Sequence, residues 1–151
     1  MTNVYLGTDH AGFAYKEQLK PIIKKLGYEP IDCGAFSYNK DDDYPDFCAE
    51  ASRKVALDDG SFGVVFGKSG AGECIVANKI HGIRAFLAVS KQNVQLAREH
   101  NDANVMSIGL ELVNVDDLEM LLATFLKTPF SKEERHIRRI EKIKRLEIEE
   151  G

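Results

Sequence analysis

The chain has 151 residues, 44% hydrophobic and 29% charged, which is the length of one domain and enough apolar material for a core without metal or disulfide staples. Its formal net charge of −4 argues against a nucleic-acid partner, and no apolar stretch reaches the ~18 residues that a membrane span needs. The three cysteines, Cys33, Cys48 and Cys74, are odd in number and follow no metal spacing, which points to reduced thiols in the cytoplasm rather than a disulfide framework.

Charge is unevenly spread. Acids gather at Asp41, Asp42 and Asp43, and bases at Arg135, His136, Arg138 and Arg139. A basic patch on a mildly acidic protein suits a small anion better than a polyanion. The opening MTNVYLGTDH lacks a charged segment followed by a long apolar run, so no signal peptide is expected.

In chain order, Val4 to Leu6 reads as a short strand ending at Gly7-Thr8-Asp9-His10. A helix is predicted from about Phe13 to Leu26, with Pro21 as a possible kink and Gly27 as its terminator. Glu29 to Cys33 reads as a second strand, followed by a polar loop from Gly34 to Asp43 and a helix from Pro45 to about Leu57. Phe62 to Phe66 is continuously apolar, as in a strand buried on both faces. A glycine-rich turn then opens a helix ending near Lys79.

Arg84 to Val89 is the next predicted strand, Lys91 to Glu99 a helix and Val105 to Ile108 a fifth strand. Asp116 to Leu126 is predicted helical. Ser131-Lys-Glu-Glu resembles a capping box that starts a charged helix from about 131 to 148. Alternating strands and helices imply a single α/β domain over residues 1–151. The expected architecture is Rossmann-like and doubly wound, a mostly parallel five-stranded sheet with helices on both faces. Ligands of such sheets bind beyond the carboxyl ends of the strands.

That rule directs attention to Gly67-Lys68-Ser69-Gly70-Ala71-Gly72-Glu73. Glycines at a strand-to-helix turn let main-chain N–H groups converge on an anion. A nucleotide-binding GxxxxGK[ST] loop is excluded, because Phe62 stands where its first glycine belongs. Two readings remain for the turn. It is either a structural helix start with Glu73 favoured by the dipole, or an anion hole with Glu73 as a base. The helix start lowers the pKa of Glu73, burial against Tyr44 or Phe47 would raise it, and sequence leaves the balance open.

Asp9-His10 follows the first strand beside Gly12, a residue tolerant of the left-handed region. It reads as a hydroxyl-orienting pair or as a helix cap with a neighbouring histidine. His100-Asn101-Asp102-Ala103-Asn104 is polar, and turn chemistry explains much of it. Arg135 and Arg139 share a helix face, and with His136 they form either a phosphate clamp or a solvated face paired with Glu133, Glu134 and Glu141.

Seven segments appear in order. They are Gly7-Thr-Asp-His-Ala-Gly12, Asp43-Tyr-Pro45, Gly67 to Glu73, Ala77-Asn-Lys79, Gly82-Ile-Arg84, His100-Asn-Asp-Ala-Asn104, and Arg135-His136 with Arg139. Together, over residues 3 to 143, the chain resembles the type B ribose-5-phosphate isomerases and their galactose- and allose-6-phosphate isomerase relatives. The resemblance implies aldose–ketose isomerisation of a sugar phosphate without metal or cofactor. It also implies a homodimer or homotetramer with sites shared between chains.

One branch of that family uses a cysteine at the first position of the turn, which here is Gly67; the other uses a glutamate at its end, which Glu73 matches. By the same resemblance Asp9 and His10 contact sugar hydroxyls, His100 helps ring opening and Asn101 holds substrate. Ser69 moves protons among sugar oxygens, and the Gly70, Ala71 and Gly72 main chain forms the anion hole. Tyr44 lies against the site, and Arg135, His136 and Arg139 bind phosphate. Where the family commonly has an arginine after the fifth strand, this chain reads Gly109-Leu110-Glu111. Lys68 is the expected substitute for that charge.

Overall fold

The computed structural model describes residues 1–151. The chain alternates β1 (Asn3–Thr8), α1 (Phe13–Lys25), β2 (Glu29–Asp32), α2 (Tyr44–Leu57), β3 (Phe62–Gly67), α3 (Ala71–Asn78), β4 (Ala85–Leu87), α4 (Lys91–Asn101) and β5 (Val105–Gly109), and closes with α5 (Leu118–Lys127) and α6 (Glu134–Glu150). The five strands pair in the order β2-β1-β3-β5-β4, all parallel. The expected Rossmann-like architecture is therefore present.

Burial explains the layering. One face of the sheet packs Leu19 and Ile23 of α1, Val94 of α4 and Leu121, Leu122 and Phe125 of α5 against Val4, Leu6, Val64, Phe66, Met106 and Ile108. The other face packs Cys48, Ala51 and Val55 of α2 and Ala77 of α3 against Val65 and Val105. Strand β3 lies at the centre and is buried from Gly63 to Gly67, which is why its sequence shows no polar alternation. No helix is long and apolar enough to cross a membrane.

Several sequence expectations are corrected. The last helix begins at Glu134, not near 131: Lys132 has a φ of 61°, which breaks any helical run through it, and Glu133 is the N-cap. Ser131 makes no capping box; its Oγ accepts only the Glu133 N–H, 3.3 Å away. A capping box does exist at α4, where Ser90 and Asn93 bond reciprocally and cut the preceding strand to three residues.

Helix α4 runs on to Asn101, because Arg98 ties its last turn to Thr128, Asp102 and Ala103. Gly12 has a φ of −103°, so it is not left-handed. It is glycine for space: a Cβ there would meet Thr8 and come within 2.6 Å of the Phe66 ring. Pro21 is accommodated inside α1. The segment predicted helical from Asp116 opens as a short 3₁₀ turn, Val115–Asp117, before α5.

Candidate active site

Strand order reverses between β1 and β3, since β2 lies to one side of β1 and the later strands to the other. In an open parallel sheet such a reversal leaves a crevice at the carboxyl ends. Asp9 and His10 leave β1 on one side of it, and Gly67 to Glu73 leave β3 on the other. Thr8 clips the two exits together by donating its hydroxyl to the Phe66 carbonyl at 2.6 Å.

The turn after β3 is held in one shape. Gly70 is the N-cap of α3, with a φ of 76° that side chains rarely adopt. A Cβ on it would come within 2.8 Å of the Gly109 amide. Buried Ser107 donates to the Gly70 carbonyl at 2.7 Å, which pins the turn from below. At the helix start the Ala71 N–H donates to Ser69 Oγ at 3.3 Å, while the Gly72 and Glu73 amides have no carbonyl partner. The Gly72 N–H of the first turn thus remains for a ligand, while the Glu73 N–H faces its own carboxylate.

Glu73 is only 5% exposed, and its Oε2 is buried with no hydrogen-bond partner. Its carboxylate folds back over Gly67, so that a Cβ on Gly67 would lie 2.7 Å from Oε1. The carboxylate therefore fills the space that any side chain at position 67 would need. Burial pushes the Glu73 carboxyl above its ordinary pKa and the nearby Asp9 charge adds to this, while the main-chain groups of Glu73 and Gly70 pull the other way. The balance left open by the sequence falls on the side of burial. Tyr44, at the start of α2, sits so close to the turn that a Cβ on Gly72 would collide with its hydroxyl.

On the β1 side, Asp9 is buried, and its Oδ1 accepts the Ala11 N–H at 2.9 Å. It is not the cap of α1, whose N-cap is Gly12. His10 Nδ1 lies 2.7 Å from Asp42 Oδ1 and 4.0 Å from Asp9 Oδ2. The hydrogen bond to Asp42 is the main reason the His10 imidazole titrates above its ordinary value. Asp9, His10 and Asp42 bring ligand-type atoms within 4.8 Å of one another. The short His10–Asp42 contact uses Nδ1 in a hydrogen bond, so the trio reads as a polar network. Lys68 is 74% exposed and lies 3.9 Å from Glu111, a pairing that leaves it free to swing.

The remaining sequence candidates gather elsewhere. His100 and Asn101 close α4, which descends from the carboxyl end of β4 to the amino end of β5. His100 stacks on buried His136, with centroids 4.3 Å apart and rings 12° from parallel. His136 Nε2 is 3.2 Å from Glu133 Oε2 without hydrogen-bond alignment, and no other group satisfies it. Arg135 lies 3.8 Å from Glu133, and Arg139 makes no ion pair. Of the acids expected to neutralise this face, only Glu133 does so.

This second cluster lies at the opposite end of the sheet from Glu73, separated by the length of β5, roughly 16 Å at ~3.3 Å per residue. One chain therefore holds the sequence candidates in two separate clusters.

A family model described as Ribose/Galactose Isomerase matches residues 4–143. The chain belongs to that family. It is similar to the ribose-5-phosphate isomerase B of Mycolicibacterium paratuberculosis, 49% identical over 138 residues that cover 91% of this chain and 87% of that protein. Its fold is similar to that of the type B ribose 5-phosphate isomerase of Trypanosoma cruzi, with a TM-score of 0.95, 41% identity and all of both chains covered. It is also similar to the ribose-5-phosphate isomerase B of Mycoplasma genitalium solved with bound ribulose-5-phosphate, with a TM-score of 0.93 and 34% identity over 98% of this chain and 97% of that one.

Sequence reasoning missed Asp42. The Asp41-Asp42-Asp43 run showed acidity, but nothing in three identical residues marks which one turns inward. The approach of Asp42 to His10 spans 32 positions and exists only in the folded chain.

Proposed function

We propose that this protein is an aldose–ketose isomerase of a sugar phosphate, ribose 5-phosphate to ribulose 5-phosphate first among them, with Glu73 as the base. The observation that carries this reading is the Glu73 carboxylate. It is buried, one of its oxygens is unpartnered, and it stands beside the unpaired Gly72 amide at a helix start. A carboxyl with a raised pKa is a better proton acceptor once ionised.

In the reaction, His100 assists opening of the furanose ring. Glu73 then removes the proton from C2, and the electron pair moves to give an enediolate. The Gly72 amide holds the oxyanion, joined by those of Gly70 and Ala71 as they give up the Glu73 carboxylate and Ser69 Oγ, and such a donor is typically worth about 2.7–4 kcal/mol in other enzymes. Ser69 passes a proton from O2 to O1, and Glu73 returns its proton to C1, which leaves the ketose. The reaction so written uses no cofactor and no metal ion. Asp9, His10, Tyr44 and Asn101 orient the sugar, and Arg135, His136 and Arg139 take the phosphate, with Lys68 contributing charge.

These roles require the two half-sites to meet, and one chain keeps them at opposite ends of its sheet. We infer a homodimer, or a tetramer of such dimers, in which His100 and the start of α6 from one copy face the glycine turn of a second. Exposed Ile75 on α3 and exposed Ile137, Ile143 and Leu146 on α6 supply apolar surface for such an assembly.

Incubation with ribose 5-phosphate, tetrose phosphates and hexose 6-phosphates in deuterated water tests the reading. The expected result is ketose formation with deuterium entering the sugar. Binding without exchange on every member of the panel would reject the enzyme. Glu111, beside Lys68 where relatives commonly carry arginine, favours a second reading: the same chemistry on a tetrose or hexose phosphate. Preference for one of those over ribose 5-phosphate would establish it.

A further inference from the structure

Of the three aspartates 41 to 43, only Asp42 turns inward; its side chain is 9% exposed. A single carboxylate oxygen, Oδ1, accepts two hydrogen bonds from one residue. The His10 main-chain N–H donates at 2.9 Å and the ring Nδ1 at 2.7 Å. A carboxylate can only accept, so Nδ1 carries the proton and Nε2, across the ring, is directed away from Asp42.

Tyr38 of the same loop meets the His10 ring edge-on, with centroids 6.3 Å apart, and itself rests edge-on against Phe13. Asp42 caps no helix, since Asp43 holds that place for α2, and it pairs with no lysine or arginine. Its second oxygen is buried without a partner. The hydrogen bonds this buried side chain accepts thus all come from His10.

We propose that Asp42 is a positioning residue: it docks the Gly34–Asp43 loop onto the carboxyl end of the sheet and locks the His10 ring with Nε2 presented to the sugar. This deepens the isomerase reading and rests on it. The same contact sets the charge of the ring. The charged groups around His10 are Asp42, Asp9 and Asp41, all acids that favour the imidazolium, while burial opposes them. Removing the Asp42 charge therefore moves the His10 titration down.

The test uses the full chain with Asp42→Asn and Asp42→Ala, each made alone and on a His10→Ala background. Asp42→Ala is expected to raise KM for ribose 5-phosphate by about 10-fold, the scale of one charge-assisted hydrogen bond, with kcat changed far less. On the His10→Ala background the same substitution is expected to add less than about twofold, because its route of action is gone. Histidine NMR titration is expected to show the His10 pKa falling in both single variants.

Losses that multiply fully in the double variant, or a His10 titration that ignores Asp42→Asn, would overturn the proposal. The titration needs no turnover. It therefore still reads the Asp42–His10 coupling if the isomerase reading itself fails.

Discussion

At the carboxyl end of the sheet a carboxylate is buried beside main-chain amides; at the other end two stacked imidazoles lie under exposed arginines. The first end is built on the main chain. Its donors are backbone, its turn is fixed by Gly70 and Ser107, and its acid is held by packing. The second end is mostly side chain, carried on a helix whose outer face is solvent-exposed. Stabilising charge that develops in a transition state favours preorganised dipoles, whereas holding a phosphate that is charged throughout favours cations. In the proposed reaction each end is suited to one of these tasks.

The sharpest way to break this comparison is at the base. Glu73→Gln is expected to fold normally by circular dichroism and to lose about 10²–10⁴-fold in kcat. A variant that keeps most of its turnover would remove Glu73 from the chemistry. The pH profile of the parent enzyme is expected to show an acid limb above the ordinary glutamate range, because Glu73 must be ionised to accept the proton and burial raises its pKa.

The division between the ends can be tested by mixing. Glu73→Gln and Arg135→Ala/Arg139→Ala proteins, each nearly inactive, are refolded together and assayed. Random dimers are half heterodimers with one intact site of two, so roughly a quarter of the parent activity is expected to return if sites are shared. No recovery would reject sites shared between chains, and an active Arg135→Ala/Arg139→Ala protein would place the cationic cluster outside the site.

A smaller effect appears in stability. A carboxyl whose folded pKa is raised binds its proton more tightly in the native state. Its contribution is full below the unfolded pKa and is lost as pH rises through the folded value. Glu73→Gln is therefore expected to melt above the parent at about pH 8, with the gap narrowing toward about pH 4. Calorimetry across that range checks the sign. The smallest effect belongs to Lys68, which is exposed beside Glu111. Lys68→Ala is expected to raise KM by about two- to fivefold, in keeping with a solvated charge. An unchanged KM would remove it from the phosphate site.

Much of the fold was legible because the buried strands carry unbroken apolar runs such as Phe62 to Phe66 and the helices carry periodic ones. Boundaries failed where local chemistry competed. The Ser131 pattern lost to the left-handed Lys132, and the strand after Arg84 was cut short by the Ser90–Asn93 cap. The glycine turn was visible as a motif because main-chain geometry at positive φ demands glycine. The stacking of His100 on His136 was not, since 36 positions separate them and both motifs read equally well as solvated polar segments.

The sequence by itself determined the alternation of strands and helices, the glycine-rich turn after the central strand and the identity of the one acid at its end, because these depend on local periodicity and on which residues tolerate a given backbone. Tertiary structure alone decided that burial outweighs the helix start at Glu73, that Asp42 rather than its neighbours reaches His10, and that the cationic residues stand at the far end of the sheet. Dielectric environment and long-range approach are properties of packed neighbours, and no stretch of chain carries them alone.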